Sequence, residues 1–170
     1  MKIKSITISN FKNMVQYERT FLSDNDIIRA EFGGGKSTIF EADKWVMGDV
    51  VPNFEPTIDR NLIAGLQTGV HLTFEKDNLE YTLYRGSMRK NGNMVGAFSF
   101  CHNPCKSLKE YRAKIEDVFG IPHSDMEILI DIRKFNTTDA AKWTWKEQRE
   151  FLFRILKIDE AINSVVDKEE

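Results

Sequence analysis

Three consecutive glycines stand directly before a lysine and a serine in the stretch AEFGGGKST, residues 30–38. A phosphate-binding loop reads G-x-x-x-x-G-K-[ST]: its backbone N–H groups face the anion, its lysine reaches the β and γ phosphates, and its hydroxyl binds Mg²⁺. The residues that meet these demands are Gly33, Gly34, Gly35, Lys36 and Ser37. Their spacing predicts a site for a nucleoside triphosphate with Mg²⁺.

The same loop departs from the pattern at its start, where Ala30 replaces the first glycine. A glycine there reaches backbone angles that cost another residue ~1 kcal/mol or more. Phe32 adds bulk in the same turn. Two alternatives follow from these residues: a distorted loop that still binds nucleotide, and a glycine-rich turn that has lost its ligand.

The elements around the loop must position it. The run DNDIIRAEF, residues 24–32, predicts a short strand that carries Ile27 and Ile28. The run STIFEADKWVMG, residues 37–48, predicts a helix, because its apolar residues recur at helical spacing. These residues are Ile39, Ala42, Val46 and Met47. The order strand, loop, helix favours a phosphate-loop ancestry.

The rest of the sequence predicts a β-sheet followed by helices. Alternating polarity indicates an N-terminal hairpin around Lys12-Asn13, a second hairpin around Asp77-Asn78, and a strand after Asn91-Gly92. Ser107 and Glu110 form a candidate capping box for a helix that ends at Gly120. A further helix is predicted over 138–156, with a buried side formed by Trp145, Phe151, Leu152 and Ile155.

We therefore expect an α/β fold: an N-terminal β-hairpin and a mixed, largely antiparallel sheet, with a P-loop-type helix and C-terminal helices. A length of 170 residues with 41% hydrophobic content predicts one domain, 1–170, with a helical tail over 157–170. A net charge of -2 argues against a wholly basic surface. Without an apolar run long enough for a bilayer or an apolar signal segment, the sequence predicts a cytoplasmic protein with no membrane partner.

Other residues carry weaker signals. Cys101, His102 and Cys105 offer three metal ligands without a second cluster, so reduced thiols near a turn are favoured and no metal site is predicted. The best nucleic-acid candidates are four cations of the N-terminal hairpin, for which a solvated edge is the alternative. They are Lys2, Lys4, Lys12 and Arg19. Weaker candidates are the cations Arg85, Arg89 and Lys90, and the group Lys142, Trp143, Trp145, Lys146 and Arg149.

The stretches KIKSITISNFKNM and KSTIFEADKWVMGD, with the glycine loop between them, resemble the N-terminal ATPase lobe of the SMC and SbcC group of ABC-type DNA-repair and chromosome ATPases, phage-encoded members above all. Looser likenesses continue through HLTFEKDNLEYTLYR, SLKEYRAKIEDVFGI and WTWKEQREFLFRIL. The resemblance implies that Lys36 contacts phosphate, that Ser37 binds Mg²⁺, and that the backbone from Gly33 to Thr38 cradles the nucleotide.

The chain also departs from this family. The family's G-x-N-G-x-G-K-S-T has lost its first glycine and its asparagine, and the region 135–141, where a glutamine loop is expected, contains no glutamine. The family's signature motif and its strand ending in Asp-Glu belong to a C-terminal lobe; ILID at 128–131 and KIDE at 157–160 do not replace them. We therefore expect that this chain does not hydrolyse ATP by itself, and no catalytic residue is assigned.

Three functions are compatible with these residues. The favoured one is a phage or mobile-element inhibitor that acts on a host RNA-guided defence nuclease or its guide RNA in the host cytoplasm, with no required cofactor. The alternative is the nucleotide-binding half of an SMC/SbcC-like ATPase, which uses ATP and Mg²⁺, contacts DNA and needs a separate C-terminal lobe. A third, cleavage of RNA by the chain or within a complex, finds no convincing metal cluster in the sequence. The oligomeric state is not predicted.

Overall fold

A computed structural model describes residues 2–22, 26–29, 31, 33–48, 67–91, 93–130 and 145–156. The chain divides into two compact units, Met1–Ile115 and Glu116–Glu170. Ala30, Phe32, the Lys142-Trp143 pair and the predicted tail over 157–170 lie outside the described residues. The prediction of one domain over 1–170 stays a prediction.

The first unit is built on a six-stranded sheet with the order β2-β1-β3-β4-β5-β6, in which every neighbouring pair is antiparallel. This arrangement confirms the predicted fold class of an α/β protein with an N-terminal hairpin and an antiparallel sheet. The strands are β1 Lys2–Phe11, β2 Met14–Thr20, β3 Thr68–Lys76, β4 Leu79–Lys90, β5 Asn93–Phe100 and β6 Asn103–Cys105.

The predicted hairpin turns form where the sequence places them. Asp77 and Asn78 connect β3 to β4, and both have a left-handed backbone, with φ of 54° and 61°. Two consecutive left-handed residues are typical of the tight turn whose twist matches that of the flanking strands. Lys12, in the turn between β1 and β2, is also left-handed, with φ of 52°.

Helix α1, Lys36–Val46, packs on one face of this sheet and contacts β1, β3 and β4. Strand alternation turns the apolar residues of the central strands toward the helix. The predicted apolar positions of the helix are buried, which confirms its orientation. The shared core comprises Ile6, Ile8, Val70, Leu72 and Leu83 from the sheet, and Ile39, Ala42, Trp45 and Val46 from the helix.

The C-terminal end of α1 is held by three donors from the rest of the unit. The buried hydroxyl of Tyr111 donates a 2.6 Å hydrogen bond to the carbonyl of Val46, and the guanidinium of Arg112 donates to the carbonyl of Gly48. Arg85 donates to the carbonyl of Trp45 at 2.6 Å. The last carbonyls of a helix lack intrahelical partners and carry partial negative charge, so these donors stabilise that end.

Helix α2, Leu108–Phe119, begins at the predicted cap. The backbone N–H of Glu110 donates to Ser107 Oγ at 3.2 Å, as a capping box requires. The Glu110 carboxylate accepts a 2.9 Å hydrogen bond from the N–H of Lys106, one residue earlier than in the standard box. The helix ends where predicted, at Gly120, whose φ of 69° is left-handed.

The second unit contains the end of α2 and two further helices, α3 His123–Ile130 and α4 Trp145–Leu156. Phe151 is buried, as predicted from the helical pattern. Leu152 was predicted to be buried as well, but its side chain is 39% exposed. Leu152 is rotated by about 100° around the helix from Phe151, and its side chain lies on the more exposed flank of the apolar stripe.

The strand predicted over 24–32 is wrong for the residues that can be assessed. Asp26 to Arg29 do not form a strand. Polar groups of this segment instead meet Arg19, which donates to the carbonyl of Ile27 and to the carboxylate of Asp26. Alternating apolar residues predict a strand only where a neighbouring strand supplies backbone partners, and sequence alone does not reveal that neighbour.

Candidate phosphate-binding loop

The backbone of the loop has left-handed glycines at its two key positions. Gly33 has φ of 80° and Gly35 has φ of 79°, a region that other residues enter only with strain. The N–H of Gly34 donates a 3.0 Å hydrogen bond to the carbonyl of Glu31, which closes a tight turn with Gly33 at its third position. The glycine run is therefore required by the path of the chain.

This turn leads directly into the N-terminus of α1. Gly35 is the N-cap residue, and its carbonyl accepts the first helical hydrogen bond, from the N–H of Ile39 at 3.2 Å. No side chain of the described residues caps this end, and the first turn of α1 contains no acidic residue. The first N–H groups of a helix, together with its dipole, form a site for anions.

The lysine of the motif folds back over the loop. Its Nζ donates a 2.8 Å hydrogen bond to the carbonyl of Glu31, on the other side of the glycine turn. The ammonium group of Lys36 therefore lies next to the glycine turn. A phosphate bound by the backbone would meet this positive charge.

The two hydroxyl residues after the lysine are directed to different environments. Thr38 is only 7% exposed, and its Oγ1 donates to Asn13 Oδ1 at 3.0 Å. Ser37 is exposed. The threonine therefore fixes the helix to the hairpin, while Ser37 stays accessible; the assignment of the Mg²⁺-binding hydroxyl to Ser37 stays a prediction.

Three residues of the hairpin β1–β2 contact the loop or the helix that follows it. Asn13 does so through the hydrogen bond from Thr38 described above. Lys12 Nζ forms a 2.8 Å ion pair with Glu41 on α1. The terminal methyl of Met14 lies 3.0 Å from the position that a Cβ on Gly35 would occupy. These supporting residues were missed in the sequence, because contacts across 20 or more positions leave no local pattern.

Of the four cations proposed for nucleic-acid contact, three form ion pairs with carboxylates in the structure. Lys2 lines a cavity beside α1. The other three form ion pairs with carboxylates: Lys4 with Glu75 at 2.6 Å, Lys12 with Glu41 at 2.8 Å, and Arg19 with Asp26 at 2.6 Å. Because β1 rises about 3.3 Å per residue, Lys4 and Lys12 stand roughly 25 Å apart. The structure brings Lys2 and Lys4 to one end of β1 and places Lys12 at the other.

The weaker candidates for nucleic-acid contact lie in different surroundings. Arg85 lies over the ring of Trp45, with its guanidinium carbon 4.6 Å from the ring centroid, so this cation belongs to the packing of α1. Arg149 is exposed on α4 and lies 5.0 Å from the ring centroid of Phe153. The side chains of Arg89, Lys90, Trp145 and Lys146 lie outside the description.

Metal ligands are equally sparse. Cys101 is half-buried, Cys105 is buried, and both are free thiols. Within the described ranges no group of three or more histidine, cysteine, aspartate or glutamate side chains is arranged to hold a metal ion. In the same part of the chain no helix has the length and apolarity needed to cross a bilayer.

Comparison with known proteins gives fold-level likenesses. No protein-family model and no curated protein matches the sequence. Two solved structures that match are an SMC head domain from Thermotoga maritima and the recombination mediator protein RecF-ATPrS in the RecFOR pathway. The first is 24% identical with a TM-score of 0.46, and the match covers 67% of this chain and 42% of that chain. The second is 16% identical with a TM-score of 0.48, covering 95% and 54%. The chain thus spans about half the length of the structures it matches.

Proposed function

We propose that this chain is a nucleotide-binding lobe related to the SMC/SbcC-like ABC-type ATPases, and that its loop over Gly33–Thr38 binds the phosphates of ATP. One observation carries the proposal: two left-handed glycines lead directly into an uncapped helix N-terminus, and the Lys36 ammonium group is hydrogen-bonded to the carbonyl of Glu31 in the same loop. A glycine turn that served only to reverse the chain would not require this lysine beside it.

The residues present fit a nucleotide with Mg²⁺. Backbone N–H groups of the loop and of the first helical turn are the donors for phosphate oxygens, and Lys36 adds a charge-assisted contact. Ser37 would supply the hydroxyl oxygen that a phosphate loop offers to Mg²⁺. When bound, Mg²⁺ would neutralise phosphate charge. We propose ATP hydrolysis only for a complex of this chain with a second lobe, which would supply the remaining catalytic groups.

Titration calorimetry with ATP and Mg²⁺ tests this function. Lys36→Ala removes a charge-assisted hydrogen bond, for which we expect roughly 10- to 100-fold weaker binding. Lys109→Ala, an exposed lysine of α2, is the matched control and keeps parental affinity. An affinity that is equal in all three proteins, or heat of binding in none of them, would contradict the proposal.

A second candidate function is inhibition of a host RNA-guided nuclease by a phage-encoded lobe that has lost its nucleotide. The replacement of the family's glycine and asparagine by Ala30 and Phe32 favours it. In a cleavage assay with guide-RNA-loaded nuclease, this function predicts full inhibition without ATP and unchanged inhibition by the Lys36→Ala variant. If the hairpin cations contact nucleic acid, neutralisation by Lys2→Gln together with Lys4→Gln should weaken inhibition. Absence of inhibition by the parental chain would exclude this candidate.

A further inference from the structure

Three consecutive glycines, Gly33 to Gly35, give the phosphate-binding loop a backbone freedom that other residues lack. The apparent affinity of such a loop falls with the fraction of molecules that hold the binding conformation. Contacts that fix the loop from outside therefore raise its affinity for phosphate. Contacts of this kind come from the turn between β1 and β2.

The hydrogen bond to Asn13 is the contact of this turn with the most defined geometry. Thr38 Oγ1 donates to Asn13 Oδ1 at 3.0 Å, and Thr38 is only 7% exposed. Because a hydrogen bond is directional, this one fixes the orientation of the first turn of α1 relative to the hairpin.

The first turn of α1 in its turn restrains the glycines. The carbonyl of Gly35, the N-cap residue, accepts a 3.2 Å hydrogen bond from the N–H of Ile39, which directly follows Thr38. The N–H of Gly34 donates to the carbonyl of Glu31 at 3.0 Å. An anchor at Thr38 therefore limits the paths that the glycine run can take.

The other two contacts of the β1–β2 turn fix the loop less. The ion pair between Lys12 and Glu41 has side chains that are 23% and 33% exposed, and such pairs contribute little because solvent screens them. Met14 meets Gly35 with a flexible methyl group, which fills space without specifying an orientation. Asn13 is therefore the residue of the turn whose removal should affect the loop most.

We propose that Asn13 is a positioning residue for the phosphate-binding loop, which it holds in the phosphate-binding conformation through Thr38. The inference rests on the proposed nucleotide binding, and it adds the β1–β2 turn to the parts of the chain that determine nucleotide affinity. Asn13 acts through the threonine hydroxyl and needs no contact with the nucleotide.

Titration calorimetry of the full chain with ATP and Mg²⁺ tests this role through a double-mutant cycle. Asn13→Ala removes the acceptor, and Thr38→Val removes the donor with little change of shape. Since one hydrogen bond between neutral groups changes an equilibrium by a factor of about 2 to 10, we expect each variant to bind ATP roughly 2- to 10-fold more weakly. The double variant should bind no more weakly than the weaker of the two single variants, because both substitutions remove the same hydrogen bond. Gln16→Ala, which removes an exposed amide side chain from the same hairpin, is the matched control and keeps parental affinity.

Amide spectra of the nucleotide-free, ¹⁵N-labelled chain show whether Asn13 acts on the loop itself. We expect Asn13→Ala to shift or broaden the N–H signals of Gly33 to Gly35. The signals of Asp77 and Asn78, in the turn at the other end of the sheet, should stay in place and show that the variant is folded.

Binding of ATP by Asn13→Ala at the parental affinity, while Lys36→Ala binds more weakly, would overturn this inference and leave the proposed function standing. Additive losses in the double variant, or weaker binding with the loop signals of the free chain unmoved, would also overturn it. A parental chain that binds no ATP would overturn both the inference and the proposed function.

Discussion

The Asp43→Asn substitution should stabilise the protein in a pH-dependent way. Burial raises the pKa of Asp43 from 3.8 to about 6 in the folded chain. The folded state therefore binds a proton more tightly than the unfolded state, so this residue favours folding at low pH. The contribution falls as pH rises through the interval from 3.8 to about 6 and then levels off. At 1.36 kcal/mol per pKa unit, the full change is about 3 kcal/mol.

Urea unfolding between about pH 4 and pH 8 measures this effect. Lys44, next to Asp43 on α1, is the charged neighbour that lowers this pKa, and Lys2 and Asp26 line the same cavity beside α1. We expect parent and variant to have similar unfolding free energies near pH 4 and the variant to be up to about 3 kcal/mol more stable near pH 8.

The control Asp117→Asn, at an exposed position of α2, should remain within about 0.5 kcal/mol of the parent throughout, because surface substitutions rarely change stability by more. A stability difference between parent and Asp43→Asn that stays constant across this pH range would refute the assignment of an Asp43 carboxyl whose Oδ1 atom is buried without a donor among the described residues. So would a parent that becomes more stable as the pH rises from about 4 to 6 while the variant does not.

Further predictions concern the ends of α1. Tyr111→Phe leaves the buried carbonyl of Val46 without its donor and should lower the unfolding free energy by roughly 1–3 kcal/mol in urea titrations; an unchanged midpoint would contradict this role. Gly33→Ala should cost about 1–2 kcal/mol from its left-handed backbone alone, because a Cβ there meets no atom within 4 Å. Gly35→Ala should cost a similar amount by the same measurement, because its φ is also left-handed and the flexible terminal methyl of Met14, 3.0 Å from the new Cβ, can move aside; unchanged midpoints for both variants would argue against this loop geometry.

Local chemistry explains which parts of the fold could be predicted. The Asp77-Asn78 turn, the Ser107 cap and the apolar stripe of α1 depend on residues close together in sequence, and each is present in the structure. The strand predicted across Ile27 and Ile28 depends on a neighbouring strand, and it did not form in the described residues.

The candidate site shows the same division. Gly33 to Ser37 were identified from their spacing, because backbone, lysine and hydroxyl requirements are all local. The bracing of the loop by Asn13 and Met14 and the burial of the Asp43 carboxylate arise from tertiary contacts. The nucleic-acid assignment of the hairpin cations stays a prediction, and three of those four side chains have carboxylate partners that their sequence neighbours did not reveal.

The most direct test of the phosphate-binding loop is an amide chemical-shift titration of the ¹⁵N-labelled chain with ATP and Mg²⁺. We expect saturable shifts of the N–H signals of Gly33 to Thr38, the backbone groups that would surround the phosphates, and expect Lys36→Ala to require roughly 10- to 100-fold more nucleotide for the same shifts. Saturation with the loop signals unmoved, or loop shifts that Lys36→Ala leaves at the parental affinity, would contradict the account.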